Sequence, residues 1–205
     1  MNSVYLEESF NLYFKILSEE IEKIKLNFPK DTVEKAVDII LDCEGKGNRV
    51  HVTGIGKPAY VAGYIASLLS STGTPSYELH GTEAIHGSSG QVLPGDVVIA
   101  ISNSGETKEL KATVETLMRN GARIISVTGN KDSWLAQKGE ISLIASVSKE
   151  GDNMNKAPRI SILSEIIILQ CLSILLQNEK HLDVSQYVKW HPGGSLGAAI
   201  RKEGY

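Results

Sequence analysis

The pattern of hydrophobic and polar residues changes its period along the chain, which predicts alternating helices and strands. Apolar residues recur every three or four positions in some segments and form short continuous runs in others. The helical patterns cover residues 3–27, 31–44, 57–71, 106–120, 132–137 and 160–177. The strand patterns cover residues 49–53, 76–79, 96–101, 123–127 and 141–146. This alternation predicts an α/β fold, a mostly parallel sheet covered by helices on both faces in a three-layer α-β-α sandwich.

The first two helical patterns stand before the first strand. Residues 3–27 place apolar side chains on one face and Glu and Lys on the other, so this helix packs against something, either the domain or a second copy. Pro29 ends the pattern, and the segment from Asp31 to Glu34 resembles a capping box that opens the second helix.

Length and composition narrow the class of protein. The 205 residues suffice for one substantial domain, and we find no repeat or linker that would divide them. A net charge of −3 gives no electrostatic reason to expect nucleic acid or an acidic membrane as a partner.

The cysteines and the N-terminus bear on the cellular compartment. Cys43 and Cys171 lie in apolar segments, as buried thiols of a reducing compartment do. No signal-peptide pattern opens the sequence, and polar residues interrupt the apolar stretch 160–176, so we expect a cytoplasmic protein with a buried core helix there.

Residues 102–107 read Ser-Asn-Ser-Gly-Glu-Thr and connect the apolar run 96–101 to a helical pattern. A strand that leads through a short turn into a helix exposes free backbone N–H groups, and the helix dipole favours an anion there. The hydroxyl groups of Ser102, Ser104 and Thr107 add donors. The spacing of a nucleotide P-loop is absent, so the turn suits one phosphate monoester. A serine-rich helix cap without a ligand is the alternative.

A second glycine turn, Gly54-Ile-Gly56-Lys57, follows the strand pattern 49–53. A lysine at the start of a helix is unfavourable for the dipole unless an anion shares the site, which favours a phosphate-facing role for Lys57. The turn also contains the front half of a dinucleotide fingerprint, with Glu78 close to the position of the required acid. An exposed surface lysine is the remaining alternative.

Histidines occur in two glycine-rich segments. His80, Glu83 and His86 lie within seven residues, and His191 lies in a Pro-Gly-Gly turn. A neutral imidazole can donate or accept a proton at neutral pH, so these residues suit proton transfer. Loop histidines that only cap the backbone are the alternative, and zinc is a third, although the spacing matches no strong ligand pattern. His51 lies between valines in a strand and is predicted to be structural.

Two carboxylates follow predicted strands. Glu106 opens the helix after the Ser102 turn, and Glu150 follows the strand pattern 141–146. Ligands of parallel sheets bind at the carboxyl ends of the strands, so either residue is a candidate general base.

Five motifs together resemble the sugar isomerase (SIS) domain family, and within it the arabinose-5-phosphate isomerases. The motifs are Gly54-Ile-Gly-Lys57, Ser70-Ser-Thr-Gly-Thr-Pro75, Glu83-Ala-Ile-His-Gly87, Asp96-Val-Val-Ile-Ala-Ile-Ser-Asn-Ser-Gly-Glu106 and His191-Pro-Gly-Gly-Ser-Leu-Gly197. The Ser-Asn-Ser-Gly-Glu turn marks SIS domains generally, whereas the Glu-Ala-x-His-Gly and His-Pro-Gly-Gly elements are more specific to this subgroup.

The resemblance implies a five-stranded parallel sheet and the interconversion of ribulose 5-phosphate and arabinose 5-phosphate, which supplies Kdo for lipopolysaccharide or capsule synthesis. It implies the catalytic residues Lys57, His86, Glu106, Glu150 and His191. It implies the phosphate-binding residues Ser102, Asn103, Ser104, Thr107 and Gly56. The isomerisation requires no cofactor and no metal, although zinc at His86 and His191 is an option. A homotetramer is expected, since SIS sites are usually completed by a neighbouring subunit, and CMP-Kdo is a candidate feedback ligand.

Two features depart from the family pattern. Many members continue past the His-Pro-Gly-Gly element into a paired CBS regulatory module, whereas this sequence stops at Tyr205, so we expect one SIS domain over residues 1–205 without that pair. Arg159 and Ile160 replace part of a Thr/Ser-rich run, which bears on sugar preference. The rival interpretation is a non-catalytic SIS module that senses a phosphosugar, or an isomerase of another sugar phosphate.

Overall fold

A computed structural model describes residues 3–193, and the end of the last motif, residues 194–197, lies outside the described residues. Its helices are α1 Ser3–Leu26, α2 Lys30–Gly45, α3 Lys57–Ser71, α4 Lys108–Arg119, α5 Trp134–Lys138, α6 Ile160–Glu179 and α7 Val184–Trp190. Its strands are β1 Val50–Gly54, β2 Ser76–Glu78, β3 Val97–Ile101, β4 Arg123–Thr128 and β5 Ile141–Ile144. Two 3-10 turns, Glu83–His86 and Ser88–Gln91, connect β2 to β3.

The five strands form one parallel sheet, as predicted, and their order is β2-β1-β3-β4-β5. Strands β1 and β3 are fully buried, because helices cover both faces of the sheet. Helices α2, α3 and α6 pack on one face around Val52, Ile99 and Val127. Helices α4 and α5 pack on the other face around Val98 and Ala100.

Helix α6 lies in the helical layer that α2, α3 and α6 form on one face of the sheet. Among the described residues it is the one helix long and apolar enough to cross a membrane. It packs against α2 and α3, and its sheet-facing residues, among them Leu169 and Leu172, are buried. The prediction of a core helix at this position is therefore confirmed.

Helix α1 lies outside α6 and presents two kinds of surface. Ile16 and Ile24 are buried, and the buried carboxylate of Glu20 accepts hydrogen bonds from the backbone N–H and the hydroxyl of Ser148 in the loop after β5. An exposed apolar stripe runs beside this face at helical spacing. It consists of Leu6, Phe10, Phe14 and Ile21.

Several predicted boundaries were wrong. Helix α2 begins at Lys30 without a side-chain cap, and the Thr32 hydroxyl donates to the Pro29 carbonyl, so the segment from Asp31 lies inside the helix and is no capping box. The helix predicted from residue 106 begins at Lys108, because the Ser102 turn continues to Thr107. Helix α7 was not predicted.

Candidate active site

The topology creates a crevice between the carboxyl ends of β1 and β3. Gly54 pairs with Ile101, so the two strands end side by side. The chain then leaves β1 for α3 on one face of the sheet and leaves β3 for α4 on the other. Such a switch point is where open parallel sheets bind their ligands, and both predicted phosphate turns lie here.

The turn at residues 102–107 is held by its own hydroxyl groups and by the β4–α5 loop. Ser102 is buried, and its Oγ lies 3.1 Å from Oγ1 of Thr107. Ser102 Oγ also accepts from the Gly105 N–H at 3.2 Å. Gly105 has a φ of +66°, and an added Cβ would lie 2.5 Å from Ser133 Cβ. Only glycine therefore fits this position.

The start of α4 fits an anion. Thr107 is the N-cap residue, but its hydroxyl faces Ser102 and makes no hydrogen bond to a helix N–H. The Ser104 hydroxyl accepts from the Glu106 N–H and is exposed. The first-turn N–H groups of α4 and the exposed Ser104 hydroxyl thus combine as donors for a phosphate-sized anion.

Lys57 begins α3 on the β1 side of the crevice. The N-cap of α3 is Gly56, which has a φ of +68°, so the chain turns sharply there. Lys57 is the first residue of the helix and is exposed, and Pro58 follows Lys57. Lys57 lines a cavity of about 420 Å³ with Tyr60, Tyr64 and Arg159. The unfavourable placement of a cation at a helix N-terminus indicates an anionic ligand.

Glu106 is anchored within its own chain. One carboxylate oxygen accepts from the Trp134 N–H at 2.7 Å, and the other forms an ion pair with Lys111. The hydrogen bond from Lys111, followed by that from Trp134, holds the pKa of Glu106 below its usual value. A carboxylate so stabilised is a weak base, and its contacts tie the Ser102 turn to the start of α5.

Glu150 lies in the loop after β5 and caps helix α6. Its Oε2 accepts from the backbone N–H groups of Arg159, at 2.7 Å, and Ser161, at 3.1 Å. Both bonds end on the same carboxylate oxygen, Oε2. The carboxylate is half-buried at the carboxyl edge of the sheet, which is a favourable position for a base.

The structure does not bring the histidines to one place in the chain. His86 is exposed at the end of the first 3-10 turn. His191 stacks on Tyr187 and follows Trp190, whose ring packs on Gly73 beyond the end of α3. Lys57 begins that 15-residue helix, which is roughly 22 Å long at ~1.5 Å per residue, so the Trp190 ring lies near the opposite end of α3 from Lys57.

The catalytic residues implied by the family resemblance do not include every candidate at the carboxyl edge of the sheet. A cavity of about 340 Å³ beside Gly54 and Gly56 is lined by Glu78, His80 and Tyr60. The position of His80 two residues after β2 was a usable signal, because loops after parallel strands share one edge of the sheet. Within residues 3–193 no three His, Cys, Asp or Glu side chains form a group that could hold a metal ion.

Comparisons with known proteins show the family of the chain and several named relatives. The SIS domain profile matches residues 46–175. Arabinose 5-phosphate isomerase KdsD of Pseudomonas aeruginosa is 41% identical over 170 residues, which are 83% of this chain and 51% of that protein. KdsD of Francisella tularensis is 35% identical over 187 residues, 91% of this chain and 57% of that protein. The chain thus spans about half the length of the curated relatives it matches.

A solved structure extends the likeness to nearly the whole chain. E. coli CFT073 c3406 in complex with arabinose 5-phosphate superposes with a TM-score of 0.86 at 32% identity, covering 94% of this chain and 100% of that one. The fold and its strand-end crevice define an α/β domain whose candidate site lies at the switch point of a parallel sheet. The chain belongs to the SIS domain family.

Proposed function

We propose that the protein is an aldose–ketose isomerase that interconverts D-ribulose 5-phosphate and D-arabinose 5-phosphate. The likeness to the arabinose 5-phosphate complex of c3406 over 94% of the chain carries the proposal. The hydroxyl-lined turn at residues 102–107 and the exposed cation at Lys57 fit a ligand with one phosphate group.

The phosphate end of the substrate lies at the start of α4 in this proposal. Ser102, Ser104 and Thr107 supply hydroxyl groups, and Asn103 and the Gly56 turn complete the wall of the crevice. Binding the phosphate away from the reacting carbons holds C1 and C2 in place for proton transfer, which lowers the entropic part of the barrier.

The chemistry requires movement of one proton between C1 and C2. A base removes the C1 proton of ribulose 5-phosphate, the electron pair forms an enediolate whose charge lies on O2, the O1 proton passes to O2, and a proton returns to C2 to give the aldose. Glu150 is the better candidate base, since Glu106 is neutralised by Lys111. Lys57 and His86 are proposed to stabilise the enediolate oxygen or to carry protons.

His191 would act on the site of a second copy. Within one chain it lies near Gly73, at the far end of α3 from Lys57, so one chain alone would leave His191 out of the reaction. The exposed stripe on α1 offers an apolar contact for assembly. We therefore propose a homo-oligomer, a tetramer, whose sites combine residues of two copies.

The wider setting is proposed from the same relatives. The product would serve Kdo synthesis for lipopolysaccharide or capsule in the cytoplasm, with CMP-Kdo as a feedback ligand. The single SIS domain over residues 1–205 would carry out the isomerisation.

The test is a discontinuous assay with ribulose 5-phosphate that resolves arabinose 5-phosphate from ribose 5-phosphate and xylulose 5-phosphate. We expect arabinose 5-phosphate as the sole product, and loss of turnover with the fold retained in His86→Ala and His191→Ala. Another pentose phosphate as product would contradict the assigned substrate. No turnover, combined with thermal protection by arabinose 5-phosphate, would indicate a binding module instead.

A further inference from the structure

A group of buried polar atoms without partners lies beneath the first two turns of α6. Ser161, Ser164 and Glu165 are fully buried, and their side-chain oxygens have no hydrogen-bond partner among the described residues. Ser161 and Glu165 are four residues apart and therefore lie on the same side of the helix. Buried polar groups are nearly always paired, so this cluster requires an explanation.

The cluster adjoins the carboxylate proposed as the base. The backbone N–H of Ser161 donates to Glu150 Oε2 at 3.1 Å, so Glu150 is bonded to the same helix turn that begins the cluster. Glu150 therefore caps the start of α6, and Glu165 is the sixth residue of the same helix, in its second turn. Two like charges there would repel each other across a poorly screened interior, whereas one charge is stabilised by the helix end.

The charged groups around α6 lie to either side of the cluster. On one side, the cavity lined by Ser164 and Ile168 contains Glu20 and Lys23 of α1, which pair with each other. On the other side, Arg159 pairs with Asp152 of the preceding loop. The cavity on that second side is lined by Tyr13, Lys57, Tyr60, Tyr64, Arg159, Ile162 and Ile166.

Glu165 belongs to the buried side of α6, together with Ile168, Leu169 and Leu172. Helices α2 and α3 and the sheet meet α6 through hydrophobic side chains. They include Val33, Val37, Ile40, Val61, Ile65, Val127 and Ala145. No ion pair of the described residues includes Glu165, and burial, followed by the negative charge of Glu150, raises its pKa to about 8.

We propose that Glu165 is a positioning residue for the proposed isomerase site, held as an uncharged carboxylic acid so that Glu150 carries the single negative charge at the start of α6. The proposal rests on the proposed function for the role of Glu150. Ionisation of Glu165 places a second negative charge beside the base, and the repulsion loosens the contact of Glu150 with the Arg159 and Ser161 N–H groups.

The protonation of Glu165 is tested without reference to activity. Infrared difference spectra between wild type and Glu165→Gln, recorded from pH 6 to 10 on protein with ¹³C-labelled glutamate, isolate its carboxyl band. We expect a protonated band at pH 7 that is lost with a midpoint near pH 8. Glu150→Gln should move this midpoint to lower pH, because removing the neighbouring negative charge makes Glu165 easier to ionise.

The positioning role is tested by the pH dependence of kcat in the isomerase assay. We expect the wild-type rate to fall as the pH rises through about 8 and the Glu165→Gln rate to stay level, because glutamine keeps the shape and cannot ionise. Glu179→Gln changes an exposed glutamate at the other end of the same helix, and this matched control should follow wild type.

Each outcome bears on one claim. No protonated band at pH 7 overturns the proposal, and so does a band with identical rate profiles in wild type and Glu165→Gln. If Glu165→Gln does not fold, the wild-type and Glu150→Gln titrations of the labelled band decide instead, and equal midpoints overturn the coupling. A wild type without isomerase activity contradicts the proposed function alone, since the band still reports whether Glu165 is protonated.

Discussion

Gly105 is the most sensitive backbone position of the phosphate turn. Its φ of +66° lies in the left-handed region, and an alanine Cβ there would lie 2.5 Å from Ser133 Cβ and 2.9 Å from Thr128 Oγ1. Gly56, in the neighbouring turn, has a similar φ of +68° but no atom within 4 Å of an added Cβ. Both positions carry backbone strain, and only Gly105 adds steric crowding.

The two substitutions should differ by the cost of the clash. Strain at a positive φ costs roughly 1–3 kcal/mol in either variant. Overpacking against the buried Ser133 adds roughly 1–3 kcal/mol in Gly105→Ala alone. Gly105→Ala should therefore lose about 2–6 kcal/mol of unfolding free energy and Gly56→Ala about 1–3 kcal/mol.

Urea denaturation measures both changes, and titration with arabinose 5-phosphate measures the effect on the turn. We expect Gly105→Ala to bind the ligand more weakly than Gly56→Ala, because Ser102 and Gly105 are joined by a hydrogen bond. Equal stability losses in the two variants, or a larger loss in Gly56→Ala, would refute the role assigned to the Ser133 contact.

Three further predictions concern other parts of the molecule. Asp96→Ala should lose roughly 2–4 kcal/mol by urea denaturation without weakening arabinose 5-phosphate binding, because the buried carboxylate bonds several groups at the opposite edge of the sheet. Burial alone would raise the pKa of Asp96, but these bonds outweigh it and hold the pKa below its usual value. The contribution of Asp96 is therefore present above the ordinary carboxyl range and is lost as the pH falls through the lowered pKa. Glu150→Gln should reduce kcat by about 10²–10⁴-fold and Glu106→Gln by less, and the reverse order in steady-state assays would exchange their roles. Lys57→Ala and His191→Ala, each inactive alone, should regain activity when co-expressed, whereas a mixture as inactive as its parents would contradict a shared site.

The sheet and its edge could be predicted because apolar runs and glycine turns are local signals. The run 96–101 is buried on both faces, and its hydroxyl-rich continuation at Ser102 had to end at the carboxyl edge. The five-stranded parallel sheet is confirmed. The assignment of catalytic and phosphate-binding residues stays a prediction, since it depends on where substrate binds.

Other features depend on three-dimensional contacts. Asp31 looks like a cap, but the helix begins one residue earlier, at Lys30. Helix α7 carried a usable sequence signal, because Asp183 is of a residue type that commonly caps helices. In the structure its side chain accepts from the Gln186 N–H. Glu165 carried none, since α6 is apolar on most of its surface and its sequence does not reveal which side meets the sheet.

The most direct test of the proposed reaction is to incubate the protein with arabinose 5-phosphate in D₂O and follow conversion and labelling by NMR. We predict that ribulose 5-phosphate forms with solvent deuterium at C1, because the proton passes through a base that exchanges with water. Unchanged and unlabelled arabinose 5-phosphate, under conditions in which it raises the Tm of the protein, would contradict the isomerase assignment.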